Sequence, residues 1–312
     1  MPEARAKPRH ELVDWTMLIA LTLMWGSAFL FTKIAVIRLP PELIVSARLT
    51  MAATVLVPLA LARGLRPARG LRPWLFMVAI AIVGNLLPFL LITWGQRSID
   101  SGLTGILMAI MPLATLGLAH FLIPGERLTP WRIGGFLLGF SGVIVLIGPE
   151  ALLVIGGERG PFVPMLAVLA GAICYGVSSI LARLRPPSDA LSTAATVTVL
   201  AALLSLPLLG AAAAGGALER VSLPLPWSVV GALLFLGLLS TATAMIVYFR
   251  LIQLAGPTFV SQLNYLIPLW AVLIGVAFLG EQPTLGHLYG LGLILAGIFV
   301  ARQERHRRLA PD

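Results

Sequence analysis

The sequence predicts an all-α membrane protein: ten transmembrane helices in two inverted five-helix repeats, with the N- and C-termini cytoplasmic. Three observations carry that expectation. Apolar residues make up 58% of the 312-residue chain and charged ones 11%, where a soluble domain carries about 25% charge; mean hydropathy is +0.96. One stretch is written twice: Pro112, an apolar run, Gly125-Glu126-Arg127-Leu128-Thr129, Gly135 and Gly142 recur as Pro268, an apolar run, Gly280-Glu281-Gln282-Pro283-Thr284, Gly290 and Gly297. From the glutamates onward the offset is 155, and the prolines differ by 156. A repeat of this length fixes architecture before anything else does. The third observation is the placement of Lys and Arg, which is lopsided across the spans.

A membrane helix needs roughly 20 mainly apolar residues. On that measure the spans fall at 13–37, 42–62, 74–95, 102–123, 131–148, 162–184, 190–211, 227–250, 258–279 and 285–302. The breaks between them are rich in helix-ending residues, among them Pro40-Pro41, the Arg/Pro/Gly run 63–73, Pro186-Pro187 and Gly256-Pro257. Thr129 before Pro130 has the form of an N-cap followed by proline at the first helical position. The chain divides into a cytoplasmic tail (1–12), a first repeat (13–148), an outer linker (149–161), a second repeat (162–302) and a second cytoplasmic tail (303–312). The first polar stretch lacks a small-residue cleavage site, so no cleaved signal peptide is expected.

With the N-terminus inside, 16 of the 22 Lys and Arg residues fall in cytoplasmic segments, 4 in outer segments (Arg38, Arg97, Arg159, Arg220) and 2, Lys33 and Arg48, within spans. Such a bias sets orientation. It also accounts for the net charge of +9 as a topology signal, and no nucleic-acid site is expected. Five helices per half is an odd number, so the second half is upside down relative to the first. Glu126 would face the cytoplasm and Glu281 the outside. Inverted repeats place a substrate site near the midplane. Trp25-Gly26 of the first span matches Tyr175-Gly176 of the sixth, and Lys33 matches Arg183.

Ten spans, the duplication, Trp25-Gly26-Ser27-Ala28-Phe29 in the first helix, Arg48 in the second and the doubled Gly-Glu-x-x-Thr segment together resemble an EamA-type member of the drug/metabolite transporter (DMT) superfamily. The resemblance covers essentially the whole chain, and within the group it is similar to bacterial exporters of amino acids, aromatic ones included, and related metabolites. It implies a multi-pass plasma (inner) membrane transporter with the bilayer and a small molecule as partners. Substrate and oligomeric state stay open, with a monomer as the simplest expectation.

The residues that could carry transport are mostly neutral. Asp and Glu are missing from the middle of every span: Glu42, Asp100, Glu126 and Glu281 all sit at helix ends. Ion-driven carriers commonly use a buried carboxylate, so facilitative export is expected over proton antiport. Favourable placement near the start of the next helix explains Glu126 and Glu281, with gating the alternative. Lys33 can snorkel. Arg48 lies deeper, about 9 Å along the helix from Glu42, and either bonds carbonyls of a neighbouring helix or meets an anionic group. Substrate-binding candidates are Trp25, Asn85, Tyr175, Ser178, Tyr248, Asn264 and Tyr265; Arg48, His120 and Gln262 are candidates for anion contact or gating. Pro88, Pro112 and Pro268 are candidate helix hinges. Asn264 and Pro268 share a helix face, which turns Gln262 toward a neighbouring helix. Each candidate has a bland counterpart: interhelical hydrogen bonds for the amides and hydroxyls, core packing for the rings, a neutral hydrogen bond for His120. Ser240, Thr241 and Thr243 lie at the depth of Asn85. Gly135/Gly139 and Gly286/Gly290 have GxxxG spacing and predict a close contact of the fifth and tenth spans.

Other classes are disfavoured. The chain has no H-E-x-x-H, no G-x-S-x-G and no paired carboxylates within spans, which argues against an intramembrane enzyme. Cys174 is the single cysteine, so no internal disulfide and no cysteine metal site is expected, and no cofactor is implied. A scaffold subunit would not need doubled polar residues at mid-depth. A drug or metabolite efflux carrier with proton coupling is the alternative transport reading.

Overall fold

The computed structural model describes residues 11–66, 69–123, 129–153 and 162–307. Among the described residues all regular structure is helical, in ten helices. These are α1 (Leu12–Val36), α2 (Pro41–Ala62), α3 (Leu71–Gly95), α4 (Ser101–Leu122), α5 (Pro130–Leu153), α6 (Phe162–Leu184), α7 (Ala190–Ala214), α8 (Trp227–Pro257), α9 (Leu263–Leu279) and α10 (Leu285–Arg307). The first eight are long and apolar enough to cross a membrane; the apolar parts of α9 and α10 are shorter. Large apolar side chains such as Leu137, Phe140 and Ile144 on α5 and Trp227 on α8 are exposed. A lipid environment covers such a surface at no cost in hydrophobic free energy.

Local chemistry sets the helix ends. Pro40 and Pro41 open α2, Asp189 accepts the Ser192 N–H at 2.8 Å to open α7, and α9 stops at Gly280 in the left-handed region (φ 65°). The Thr129–Pro130 start is present: Thr129 O accepts from Ile133 N–H at 2.9 Å. Expected and observed spans differ mainly at α8 and α10. The eighth helix continues past residue 250 until Gly256 (φ 80°) breaks it, and α9 begins at Leu263 after a turn at Ser261–Gln262. The tenth runs on to Arg307, because charged residues that end an apolar run are still good helix formers. Glu126 and its neighbours 124–128, and linker residues 154–161, lie outside the described residues.

The pseudo-symmetry is visible in α5 and α10. A Cβ on Gly135 would stand 2.5 Å from Gly297 O, and one on Gly142 would stand 2.7 Å from Gly290 O. Gly135 and Gly290 are equivalent in the repeat, as are Gly142 and Gly297, so the two contacts exchange under a two-fold axis and the helices run antiparallel. The close pairing expected of these helices is present, but Gly286 takes no part in it: the nearest atom to its Cβ position on α5 is Val145 O at 3.9 Å.

The third helix of each half carries a π-helical segment at matching depth, Ile82–Leu86 in α3 and Phe235–Thr243 in α8. In α3 the cause is legible: Pro88 has no N–H for the carbonyl of Gly84, and the ladder shifts register ahead of it. The helix α4 is interrupted at Ala109–Ile110, ahead of Pro112, and Pro268 leaves the Asn264 carbonyl in the first turns of α9 without its usual donor.

Candidate functional site

The π segment of α8 is the hub. A widened turn frees backbone and side-chain groups that an α-helix would hide. The Ser240 carbonyl accepts the Trp25 indole N–H at 3.1 Å. Thr241 donates to Leu236 O at 2.7 Å and accepts from Arg48 Nε at 2.7 Å, while Arg48 Nη2 donates to Ser240 Oγ at 3.2 Å. The guanidinium lies over the Phe89 ring, 3.8 Å from its centroid. Phe89 meets Tyr175 edge-on at 6.5 Å, and Trp25 packs on Tyr248 at 5.2 Å. Five helices, α1, α2 and α3 from one half and α6 and α8 from the other, thus meet around one cation and four aromatic rings. Among the described residues the hydrogen-bond partners of Arg48 are neutral hydroxyls, not carboxylates.

Asn85, in the π segment of α3, is 7% exposed, and its Nδ2 has no hydrogen-bond partner among the described residues. The π segment that carries it packs against α6 and α7, which turns the amide into the bundle. Beside it, Ser178 Oγ fills the space that a side chain at Gly84 would need, bringing α6 onto α3. Asn264 Nδ2 donates to Ser261 O at 3.1 Å, a local bond at the start of α9, and Tyr265 packs against the core around Ile106 and Leu113. Leu263, Leu266 and Ile267 at the start of α9 share a hydrophobic cluster with Trp25 and Tyr248. His120 lies in the last turn of α4, with its ring edge-on to Phe121 at 5.0 Å.

Two ionisable residues take roles that the sequence did not suggest. Lys33 does not snorkel: its Nζ donates to Gln96 O at 2.9 Å and Ile99 O at 2.8 Å, satisfying carbonyls left open where α3 ends. Gln96, fully buried, returns a bond from Nε2 to Phe29 O at 2.9 Å. Glu281 sits at a helix start, but at that of α4 in the other half and not at α10. Its Oε1 accepts from Ser101 N–H and Ser101 Oγ–H, each at 2.7 Å, and Oε2 accepts from Gly102 N–H at 2.8 Å. Asp100 holds the N-cap position of α4 without a side-chain cap bond; Glu281 supplies that function from across the bundle. A methyl at Gly275 would overlap the carboxylate, and one at Gly102 would stand 3.1 Å from it. A small cavity of about 10 Å³ beside it is lined by Asp100, Glu281 and His287 among others.

The same contact organises the ends of the bundle. Ser101–Met108 packs closely on α9, with Gly105 against Ala271 and Gly102 against Val272. Met111–Leu122 packs instead on α6, α5 and α10. The halves are therefore joined across α4 and α9 at the Glu281 end.

The model of the EamA-like transporter family matches residues 15–148 and 163–303. The chain belongs to that family. This EamA-like protein, of the DMT superfamily, is a multi-pass membrane transporter. It is 26% identical to the uncharacterized transporter YoaV of Bacillus subtilis over 91% of this chain and 94% of that one. It is also 26% identical to a probable terminal-alkyne amino-acid exporter of Streptantibioticus cattleyicolor, over 93% of each, and to the uncharacterized inner membrane transporter YedA of Escherichia coli over 90% of this chain and 88% of that one. A solved crystal structure with 23% identity shares the fold at a TM-score of 0.64, covering 95% of this chain and 99% of the other. Sequence reasoning missed Phe89, Gln96 and the Ser101–Gly102 receptor of Glu281. Only the last had a signal, a Ser-Gly pair just after Asp100 at a helix start.

Proposed function

We propose that this EamA-like transporter exports small apolar metabolites from the cytoplasm across the inner membrane, amino acids first and those with aromatic or apolar side chains above others. The observation that carries the reading is the meeting of Trp25 and Tyr248 with Phe89 and Tyr175 around the Ser240–Arg48 node. Rings from both halves converge there on a few polar groups, the composition of a small-molecule site. The amino-acid exporter among its relatives supports the same substrate class.

Two repeats, 13–148 and 162–302, rock against each other and expose this region to either side in turn. The charge bias of 16 to 4 puts both termini in the cytoplasm and Glu281 outside. On that orientation the Glu281–Ser101 contact closes the outer end of the bundle in this state. Missing carboxylates at mid-span favour facilitative transport. Purified protein in proteoliposomes, preloaded with labelled amino acids, tests the reading: counterflow of phenylalanine or leucine at equal pH on both sides is expected. Transport that appears only with an imposed pH step would overturn the facilitative part, and no counterflow with any amino acid would overturn the substrate class.

A further inference from the structure

Among the described residues, Arg48 is a cation inside the bundle whose hydrogen bonds go to side-chain hydroxyls. Arg48 sits about a third of the way along α2, half-buried, between α3, α6 and α8. A guanidinium has five N–H donors, of which the bonds to Thr241 and Ser240 engage Nε–H and one on Nη2, leaving three. Its partners are two hydroxyls and the face of Phe89, all neutral. Lys33, the other cation within a span, is held by the carbonyls of Gln96 and Ile99. A charge inside a membrane is expensive and is kept when it pairs or works. Structural carbonyl capping, the work Lys33 does, is not what Arg48 does: it bonds side-chain hydroxyls, which orient the guanidinium without neutralising it.

From this we infer that Arg48 is the carboxylate-recognition group of the transport site, with Ser240 and Thr241 as its positioning residues. The inference rests on the export reading above and deepens it: the recognised feature of the substrate is a carboxylate. A planar fork with free donors matches the two oxygens of a carboxylate. A single guanidinium among neutral groups suits a monoanion; a phosphate dianion would call for further cations. Ser240 also accepts the Trp25 indole N–H, so a carboxylate on Arg48 places the rest of the molecule beside Trp25 and Tyr248, which suit an apolar side chain. Phe89 under the guanidinium, 3.8 Å from it, attracts the cation through its ring quadrupole.

The test uses three molecules with one side chain: phenylalanine, its amine phenethylamine, and its acid 3-phenylpropionate. Full-length protein in proteoliposomes is assayed for counterflow of each, alongside thermal stability in detergent. The wild type should move both carboxylates and move the amine at least tenfold less. Arg48→Gln should lower transport of both carboxylates at least tenfold and lose most of the preference over the amine. Thr241→Val, which leaves the cation in place, should raise KM for the carboxylates three- to tenfold with little change in maximal rate. If Arg48→Gln does not fold, Arg48→Lys stands in: a point charge without the fork should raise KM for carboxylates while leaving the amine unchanged. Equal transport of amine and amino acid by the wild type overturns the Arg48 role and leaves export of apolar metabolites standing. Carboxylate transport within twofold of wild type in Arg48→Gln does the same. If none of the three moves, the export reading falls and takes this inference with it.

Discussion

Glu281 caps the helix that begins at Ser101, although the two residues belong to opposite halves of the chain. Three donors converge on one carboxylate at 2.7–2.8 Å, and hydrogen bonds to a charged group contribute about 1.5–3 kcal/mol each. The helix dipole of α4 adds to the attraction. The pair is therefore both a cap and a clasp between α4 and α9.

Removing the clasp should shift the protein away from the state sealed at this end. Glu281→Gln keeps the shape but loses the charge and presents one amide N–H₂ toward donors. Gly275→Ala keeps the charge but puts a methyl where the carboxylate sits. Both variants are expected to lower thermal stability and to raise the reactivity of a cysteine at Leu103 toward a soluble thiol reagent in a Cys174→Ser background. Ser101→Ala, which removes only one of the three donors, should show a smaller change in the same direction. Unchanged reactivity in both of the first two variants would mean the contact does not close this end.

The antiparallel glycine pairing of α5 and α10 makes a second, sharper expectation. Gly142→Ala and Gly297→Ala each drive a methyl into backbone 2.5–2.7 Å away, and overpacking of this kind costs about 1–3 kcal/mol. Gly286→Ala meets nothing closer than Thr284 Oγ1 at 3.5 Å and should be neutral, although the sequence spacing marks it as an equal. Melting temperatures of the three purified variants decide this; equal destabilisation by all three would show that helix register differs from Gly135–Gly297 and Gly142–Gly290.

That contrast shows where the sequence was legible. Apolar run length and the doubled Gly-Glu segment were enough to find ten helices and the family, because a bilayer demands long apolar helices whatever their packing. Which glycine of a GxxxG pair faces its partner depends on helix rotation, which spacing alone leaves free. The same applies to the site. Trp25, Tyr175, Tyr248 and Arg48 come together as candidates from their depth, and the structure gathers them around Ser240. Asn85 is buried in the π segment of α3, which packs against α6 and α7, and its direction within that widened turn could not be read from spacing. Lys33 was misread since snorkelling to the interface and capping a neighbouring helix end require the same position near a span's end. Phe89 carried no signal at all among thirteen phenylalanines.

Trp25 joins the aromatic and polar parts of the site, and graded substitutions should separate them. Trp25→Phe keeps a ring beside Tyr248 but loses the donor to Ser240 O, whose net worth is about 1 kcal/mol. Trp25→Ala loses both. Transport should fall moderately in the first and strongly in the second, with the first retaining near-normal thermal stability. Asn264→Ala, whose amide is engaged only locally with Ser261 O, should reduce transport less than Trp25→Ala. Were Asn264→Ala the more damaging at equal stability, the start of α9 and not the Ser240 node would be the substrate's main contact.

Orientation has its own test, independent of substrate. The positive-inside bias places the Gln282 loop outside and the Arg127 loop in the cytoplasm, since the halves must be inverted if each has five helices. Cys174 is replaced by Ser to give a background without native thiols. Gln282→Cys and Arg127→Cys are then introduced singly, both in exposed connecting segments by sequence and neither in the Ser240 node. An impermeant maleimide applied to intact cells should label Gln282→Cys alone, and both variants should label once the cells are opened. Labelling of Arg127→Cys alone from outside would reverse the orientation and put the Glu281–Ser101 contact at the cytoplasmic end. Labelling of both from one face would be inconsistent with an odd number of crossings between them, and the ten-helix inverted arrangement would fall with it.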